Sequence, residues 1–258
     1  MSSASNPKIL ELEQICYSYE KSRPLIRDLT FSIREGDFIG LLGANGSGKS
    51  TVLKLGSGLL KPSAGRLALW GKDLSLVSGR DRAKLISYLP QTLDMTVPFT
   101  VREMVAMGLY PYDILPALNV DEALEMVGLT DKAGARLADL SGGERRRTFI
   151  AMTLLQGAGL LLLDEPLANL DIKYQIELMK LLRNLREKRN IAVMMALHDI
   201  NVALQFEKVM LIKEGSIIGS GKPHEVLSRD MLKQAFDVDV EVRRSDTEGT
   251  YISYSQHF

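Results

Sequence analysis

Gly43-Ala44-Asn45-Gly46-Ser47-Gly48-Lys49-Ser50-Thr51 gathers three glycines, an ammonium group and three hydroxyls into nine residues. The chemistry this spacing allows is phosphate binding. Small residues let successive backbone N–H groups close around an anion at a helix N-terminus. Lys49 adds a point charge for β- and γ-phosphates, and the Ser50 hydroxyl is a ligand for Mg²⁺. An accidental glycine-rich turn would match this pattern somewhere in such a chain with odds of roughly one in a hundred. The apolar run of Phe38, Ile39, Leu41 and Leu42 before it, and helical sequence after it, lower those odds further. Nucleoside triphosphate binding follows; which nucleotide, and for what task, does not.

Two further clusters need a role. Leu160 to Leu163 is followed by Asp164-Glu165-Pro166, which puts two carboxylates at the end of a buried strand, where a parallel sheet binds its ligands. Adjacent acids there have separable jobs: Asp164 to hold Mg²⁺, Glu165 to orient and polarise an attacking water. Taken alone they could equally mark a solvated strand end; the phosphate loop upstream favours the chemical reading. Leu140-Ser141-Gly142-Gly143-Glu144 opens a long helix with Ser141 as N-cap. Its two glycines leave bare backbone amides at a helix N-terminus, a second anion site that the first loop does not need.

The elements that must carry these residues can be read from periodicity. From Lys8 to Ile33, alternation (Ile9, Leu10, Leu12, Ile15; Leu29, Phe31, Ile33) predicts antiparallel strands joined by a turn at 20–24. A helix runs from Lys49 to about Gly56, and strands follow at Arg66 to Trp70 and Ile86 to Leu89. Between Gln91 and Leu140 helical spacing takes over, with Val101, Met104, Val105 and Met107, then Val120, Ala123, Leu124 and Val127, and a long last helix spans Gly142 to Gln156. A strand at Leu160 to Leu163 and a helix from Ile172 to Lys188, with Ile176, Met179, Leu182 and Leu185 along one side, come next. Ile191 to Leu197 is a buried strand, a hairpin turns at Glu214-Gly215, short helices fill Pro223 to Phe236, and the tail is a small β-appendage. The class is α/β: a parallel sheet with helices on both faces, an N-terminal antiparallel β-subdomain and an inserted helical subdomain. We divide one domain into a nucleotide-binding core (1–90 and 157–236), a helical insertion (91–156) and an appendage (237–258).

The chain has 258 residues with 32 basic and 32 acidic side chains, so no overall field recruits nucleic acid. Cys16 is the single cysteine, which excludes an internal disulfide framework and suits a reducing compartment. No run approaches the roughly 20 apolar residues of a membrane span.

Leu-Ser-Gly-Gly-Glu at 140–144, together with the phosphate loop and Leu160-Leu161-Leu162-Leu163-Asp164-Glu165-Pro166, resembles the ATP-binding cassette ATPases over about Lys8 to Phe236. The resemblance implies a P-loop NTPase fold, ATP and Mg²⁺ as ligands, and a head-to-tail homodimer in which Ser141, Gly142, Gly143 and Glu144 of one chain close the ATP site of the other. It implies that Gln91 joins the Mg²⁺ shell and senses the γ-phosphate with His198. It also implies that Asp171 ends a dimer-contact loop, although an N-cap is an alternative there, and that an aromatic stacks on adenine. That aromatic is Tyr19, with Tyr17 the alternative. Leu167 stands where the family commonly has threonine, and Arg146 where it often has glutamine; the cluster Arg145-Arg146-Arg147 reads as a solvated face with a subunit contact.

The task is legible only through finer resemblance. Residues 132–139 lack the glutamate-glycine loop of exporters, which favours an importer. Val97 to Pro111 and Leu197 to Leu204 resemble ATPases of siderophore, haem and cobalamin importers. In such systems the ATPase lies on the cytoplasmic face of the membrane, bound to permease subunits and served indirectly by a substrate-binding protein. The alternatives are an importer for another solute or a soluble cassette protein that meets no membrane. A kinase or GTPase would leave the 140–144 motif and His198 without purpose.

Overall fold

The computed structural model describes residues 6–20, 24–93, 97–114, 116, 118–245 and 249–254. β1 (Lys8–Tyr17) and β2 (Ile26–Arg34) pair antiparallel; the expected turn between them falls partly outside the described residues. β3 (Phe38–Leu42) is buried at every position and runs straight into the phosphate loop and α1 (Lys49–Gly56). β4 (Ala64–Leu69) returns antiparallel along β1, and β5 (Lys72–Asp73) pairs with β4, giving a four-stranded sheet in the order β2-β1-β4-β5.

α2 (Gly79–Leu85) leads into β6 (Ile86–Leu89), after which the chain becomes helical: α3 (Val101–Ala106), α4 (Val120–Met126) and α5 (Gly142–Leu155). Each of these three starts with a capping box, Thr100 with Glu103, Asn119 with Glu122 and Ser141 with Glu144. Reciprocal capping satisfies donors that short helices otherwise leave bare. Val101, Met104, Val105, Ala123, Leu124 and Phe149 form their common core. Met107 does not join it, because α3 ends at Ala106 and a 3₁₀ turn leaves Met107 43% exposed.

The chain then returns through β7 (Leu160–Asp164), α6 (Ile172–Arg189), β8 (Ala192–Leu197), α7 (Ile200–Ala203), β9 (Lys208–Lys213) and β10 (Ser216–Gly221). α8 (Pro223–Val226), α9 (Arg229–Phe236) and the hairpin of β11 (Val240–Ser245) and β12 (Gly249–Tyr254) follow. The central sheet has the order β10-β9-β3-β8-β7-β6, parallel except for the β10 edge.

Period-two alternation decides what covers each face. Ile39, Leu41, Leu160, Leu162 and Met194 pack with Val52 and Leu53 of α1 and with the antiparallel sheet. Phe38, Leu42, Leu161, Leu163, Val193 and Met195 pack with the helical insertion and α6. One face is therefore shared between a helix and the β-subdomain, and the other is covered by helices. On α6 the buried stripe is Leu178, Met179 and Leu182, and Ile176 is 50% exposed, so the expected apolar side is displaced from Ile176. Among the described residues no helix is long and apolar enough to cross a membrane.

Candidate nucleotide site

The phosphate loop leaves β3 and turns into α1 on glycines. A Cβ at Gly43 would stand 2.3 Å from the carbonyl oxygen of Ile212, and Gly48, the N-cap of α1, has φ +108°, a conformation L side chains rarely adopt. Lys49 is buried and folds back so that Nζ donates to the carbonyl oxygens of Gly43 at 2.7 Å and Ala44 at 3.2 Å. Burial pushes its pKa down, while Glu165 and Asp164 push it up.

Around this loop lies a 350 Å³ cleft lined by Asn45, Gly46, Gly48, Lys49, Ser50, Thr51, Gln91, Glu165, His198 and Leu25. Residues from β3–α1, the end of β6, the end of β7 and the end of β8 thus meet at the carboxyl ends of parallel strands. Within the loop the Ser47 hydroxyl is buried and, among the described residues, unpartnered. A second hollow, lined by Tyr19, Glu20, Pro24 and Leu25, shares Leu25 with the first. Tyr19 is 59% exposed and its hydroxyl lies 3.5 Å from Thr51 Oγ1, whereas Tyr17 packs on the β-subdomain core, edge-on to Tyr19. Of the two rings, Tyr19 is the one left open beside the cleft.

Glu165 is the centre of the cleft. Its Oε2 accepts a hydrogen bond from Gln91 Nε2 at 2.7 Å, and its Oε1 lies 2.5 Å from His198 Nε2. Its backbone is left-handed, with φ +51°. Behind it Asp164 is buried; Tyr88 donates to Oδ2 at 3.4 Å, and Oδ1 has no partner among the described residues. Burial raises the Asp164 pKa, with the Ser50 hydroxyl opposing and Glu165 adding to the rise. An orphaned buried carboxylate oxygen beside a serine hydroxyl and a glutamine amide is a set of hard oxygen donors that fits Mg²⁺. Tyr88 and Leu25 are residues at the site that the sequence reading missed; Tyr88 could have been found as the polar-tipped aromatic on β6 three residues before Gln91.

Ser141, Gly142, Gly143, Glu144 and Asp171 do not line the cleft. The Ser141 hydroxyl and Glu144 carboxylate are engaged with each other at 2.9 Å, and Glu144 also pairs with Lys132 at 2.7 Å, which holds its pKa down at about 2. Gly143 comes close to Asn169, whose carbonyl would be 3.0 Å from a Cβ, but a Cβ on Gly142 would touch nothing within 4 Å. Asp171 occupies the N-cap position of α6 without its side chain capping it.

The arginine cluster corrects the sequence reading. Arg146 is 3% exposed and Arg147 8%, so they are not a solvated face. Arg147 donates to the carbonyls of Val127 and Gly128 and lies over the Tyr174 ring, while Arg146 donates to the carbonyls of Pro90, Gln91, Asp164 and Pro166.

Residues 26–168 match the family described as ABC transporter, a span that contains the phosphate loop, Gln91, the 140–144 motif and both carboxylates. The chain belongs to the ABC transporter ATPase family. It is 39% identical over 241 residues to the iron(3+)-hydroxamate import ATP-binding protein FhuC of Bacillus subtilis, covering 90% of this chain and 89% of that protein. It is 35% identical to the hemin import ATP-binding protein HmuV of Bordetella avium, covering 86% of this chain and 89% of the relative. Among solved structures, an inward-facing transporter described as metal-chelate type superposes with a TM-score of 0.79 at 25% identity, over 96% of this chain and 98% of the other. The dimeric cassette MJ0796 in a post-hydrolysis state with ADP and Pi superposes with a TM-score of 0.76 at 26% identity, over 83% and 99%. As an ABC ATPase, the protein binds and hydrolyses ATP.

Proposed function

We propose that this ABC ATPase powers a bacterial importer of metal chelates, the class of siderophore, haem or cobalamin, from the cytoplasmic face of the membrane as a peripheral homodimer on separate permease subunits. The observation that carries the hydrolytic part is the convergence of Gln91 and His198 on the Glu165 carboxylate inside the phosphate cleft. In this reading Tyr19 stacks on adenine, Gly43 to Thr51 wrap the phosphates, and Lys49 neutralises the β- and γ-phosphates. Ser50, Asp164 and Gln91 would hold Mg²⁺, which would screen the phosphate charge. Glu165 orients and deprotonates the attacking water, and His198 contacts the γ-phosphate.

The homodimer is supported by the α5 N-terminus. Gly142 is exposed and is not required by the packing of its own chain, yet it leaves amides at a helix start. A second copy's phosphate is the partner that gives it a purpose, with Asp171 at the contact; the MJ0796 cassette is itself dimeric. Because Glu144 is consumed by the cap, its part is to shape this N-terminus. The cargo class rests on relatives named for iron-hydroxamate and hemin import. Tagged chain purified from detergent extracts should retain a membrane permease, and that complex in vesicles should take up a ferric hydroxamate only with ATP present. Failure to capture any membrane protein overturns the importer reading.

A further inference from the structure

Arg146 is a charged side chain buried, among the described residues, without a carboxylate hydrogen-bonded to it. Its guanidinium is solvated by four backbone carbonyls: Nη1 to Pro90 at 2.7 Å and Gln91 at 3.0 Å, Nη2 to Asp164 at 2.6 Å, and Nε to Pro166 at 3.4 Å. Those acceptors are not scattered. Asp164 and Pro166 flank Glu165, so two arms of one planar group grip the peptides on either side of a residue held at φ +51°. A non-glycine residue stays in that region only when its surroundings over-determine it. The third arm holds the backbone of Gln91, the residue whose amide meets the Glu165 carboxylate at 2.7 Å.

We propose that Arg146 is a positioning residue for ATP hydrolysis: from α5 it fixes the backbones of Gln91 and Glu165 relative to one another, so that their side chains meet. Displacement of α5 is then felt at both residues at once. Glutamine, with two N–H donors and no charge, could serve only part of this set, and lysine keeps the charge but lacks the planar fork. The proposal depends on the ATPase chemistry and not on the identity of the cargo.

The test compares purified full-length wild type, Arg146→Gln, Arg146→Lys, Gln91→Ala and the Arg146→Gln/Gln91→Ala double variant. Arg146→Gln should lose about tenfold or more in kcat with KM for ATP within about threefold. In the Gln91→Ala background the same substitution should cost less than about threefold, because the meeting of the two side chains that it disrupts is already lost. Mn²⁺ affinity, read by electron paramagnetic resonance with a non-hydrolysable ATP analogue, should weaken about fivefold in Arg146→Gln while metal-free nucleotide binding stays within about twofold. Equal losses in both backgrounds, or a lowered melting temperature with kcat and Mn²⁺ affinity unchanged, overturns the proposal. If Arg146→Gln does not fold, Arg146→Lys decides by the same kcat and Mn²⁺ readings.

Discussion

His198 Nε2 lies 2.5 Å from Oε1 of Glu165, and Gln91 takes the other carboxylate oxygen, so the Glu165 carboxylate is gripped from two strand ends. Residues that act as one unit give non-additive losses. Glu165→Gln and His198→Ala should each lower kcat by about a hundredfold or more, equivalent to about 2.7 kcal/mol, and the double variant should be little worse than Glu165→Gln. ATP binding, measured without turnover, should survive in all three. A Glu165→Gln chain that hydrolyses ATP at the wild-type rate would sink the assignment.

Asp164 sets function against stability. Its pKa is raised by burial, and an acid whose folded pKa lies above its unfolded value is destabilising when ionised, a penalty present above the folded pKa and absent below the unfolded one. Asp164→Asn removes that buried charge, whose Oδ1 has no partner among the described residues. The variant should melt about 2–4 °C higher than wild type at pH 7 without Mg²⁺, with the difference shrinking as pH falls toward the acid range, and should have lost ATP turnover. Thermal scans across pH check both the sign and its disappearance.

How far the sequence reaches is seen by setting Glu165 beside Arg146. Every strand end that carries a site residue, and the loop between β3 and α1, was readable because spacing and apolar runs are local properties. The N-cap at Ser141 was readable for the same reason, but Glu144, assigned to the partner's ATP site, turns out to close a capping box with it. Arg146 was not: whether an arginine in a helix faces water or four carbonyls depends on which backbone is brought against it, a tertiary fact. The exposed Ile176 and Met107 failed likewise, one by a displaced apolar stripe and one because a helix stopped at Ala106.

Gly142 allows the dimer to be tested with a substitution that should do no harm to the chain that carries it. A side chain there meets nothing within 4 Å, and an acid in the first turn of a helix is favourable with the dipole by about 0.3–1 kcal/mol. Gly142→Asp should therefore melt no lower than wild type while losing about a hundredfold in turnover through repulsion of the second copy's phosphate. Mixed with Glu165→Gln chains, it should restore partial activity only if the site is built from two copies. Full activity of Gly142→Asp alone would remove the reason for a shared site.

The appendage has a definite attachment to the catalytic core through Asn201. Its side-chain amide donates to the carbonyl of Ile252 at 3.0 Å and accepts from the Ile252 N–H at 2.8 Å, a strand-like pairing between α7 and β12. α7 begins two residues after His198, where Asp199 caps it by accepting from Asn201 N at 2.7 Å. Ile252 and Val240 are buried against the core, so the hairpin braces the segment that presents His198. Asn201→Ala leaves the Ile252 backbone pair without partners, a loss of about 1–3 kcal/mol. The expected result is faster amide exchange across 249–254, a melting point lowered by several degrees, and a kcat reduced about two- to fivefold, far less than in His198→Ala. Unchanged exchange in that hairpin would mean that burial of Ile252 and Val240 alone holds the appendage in place.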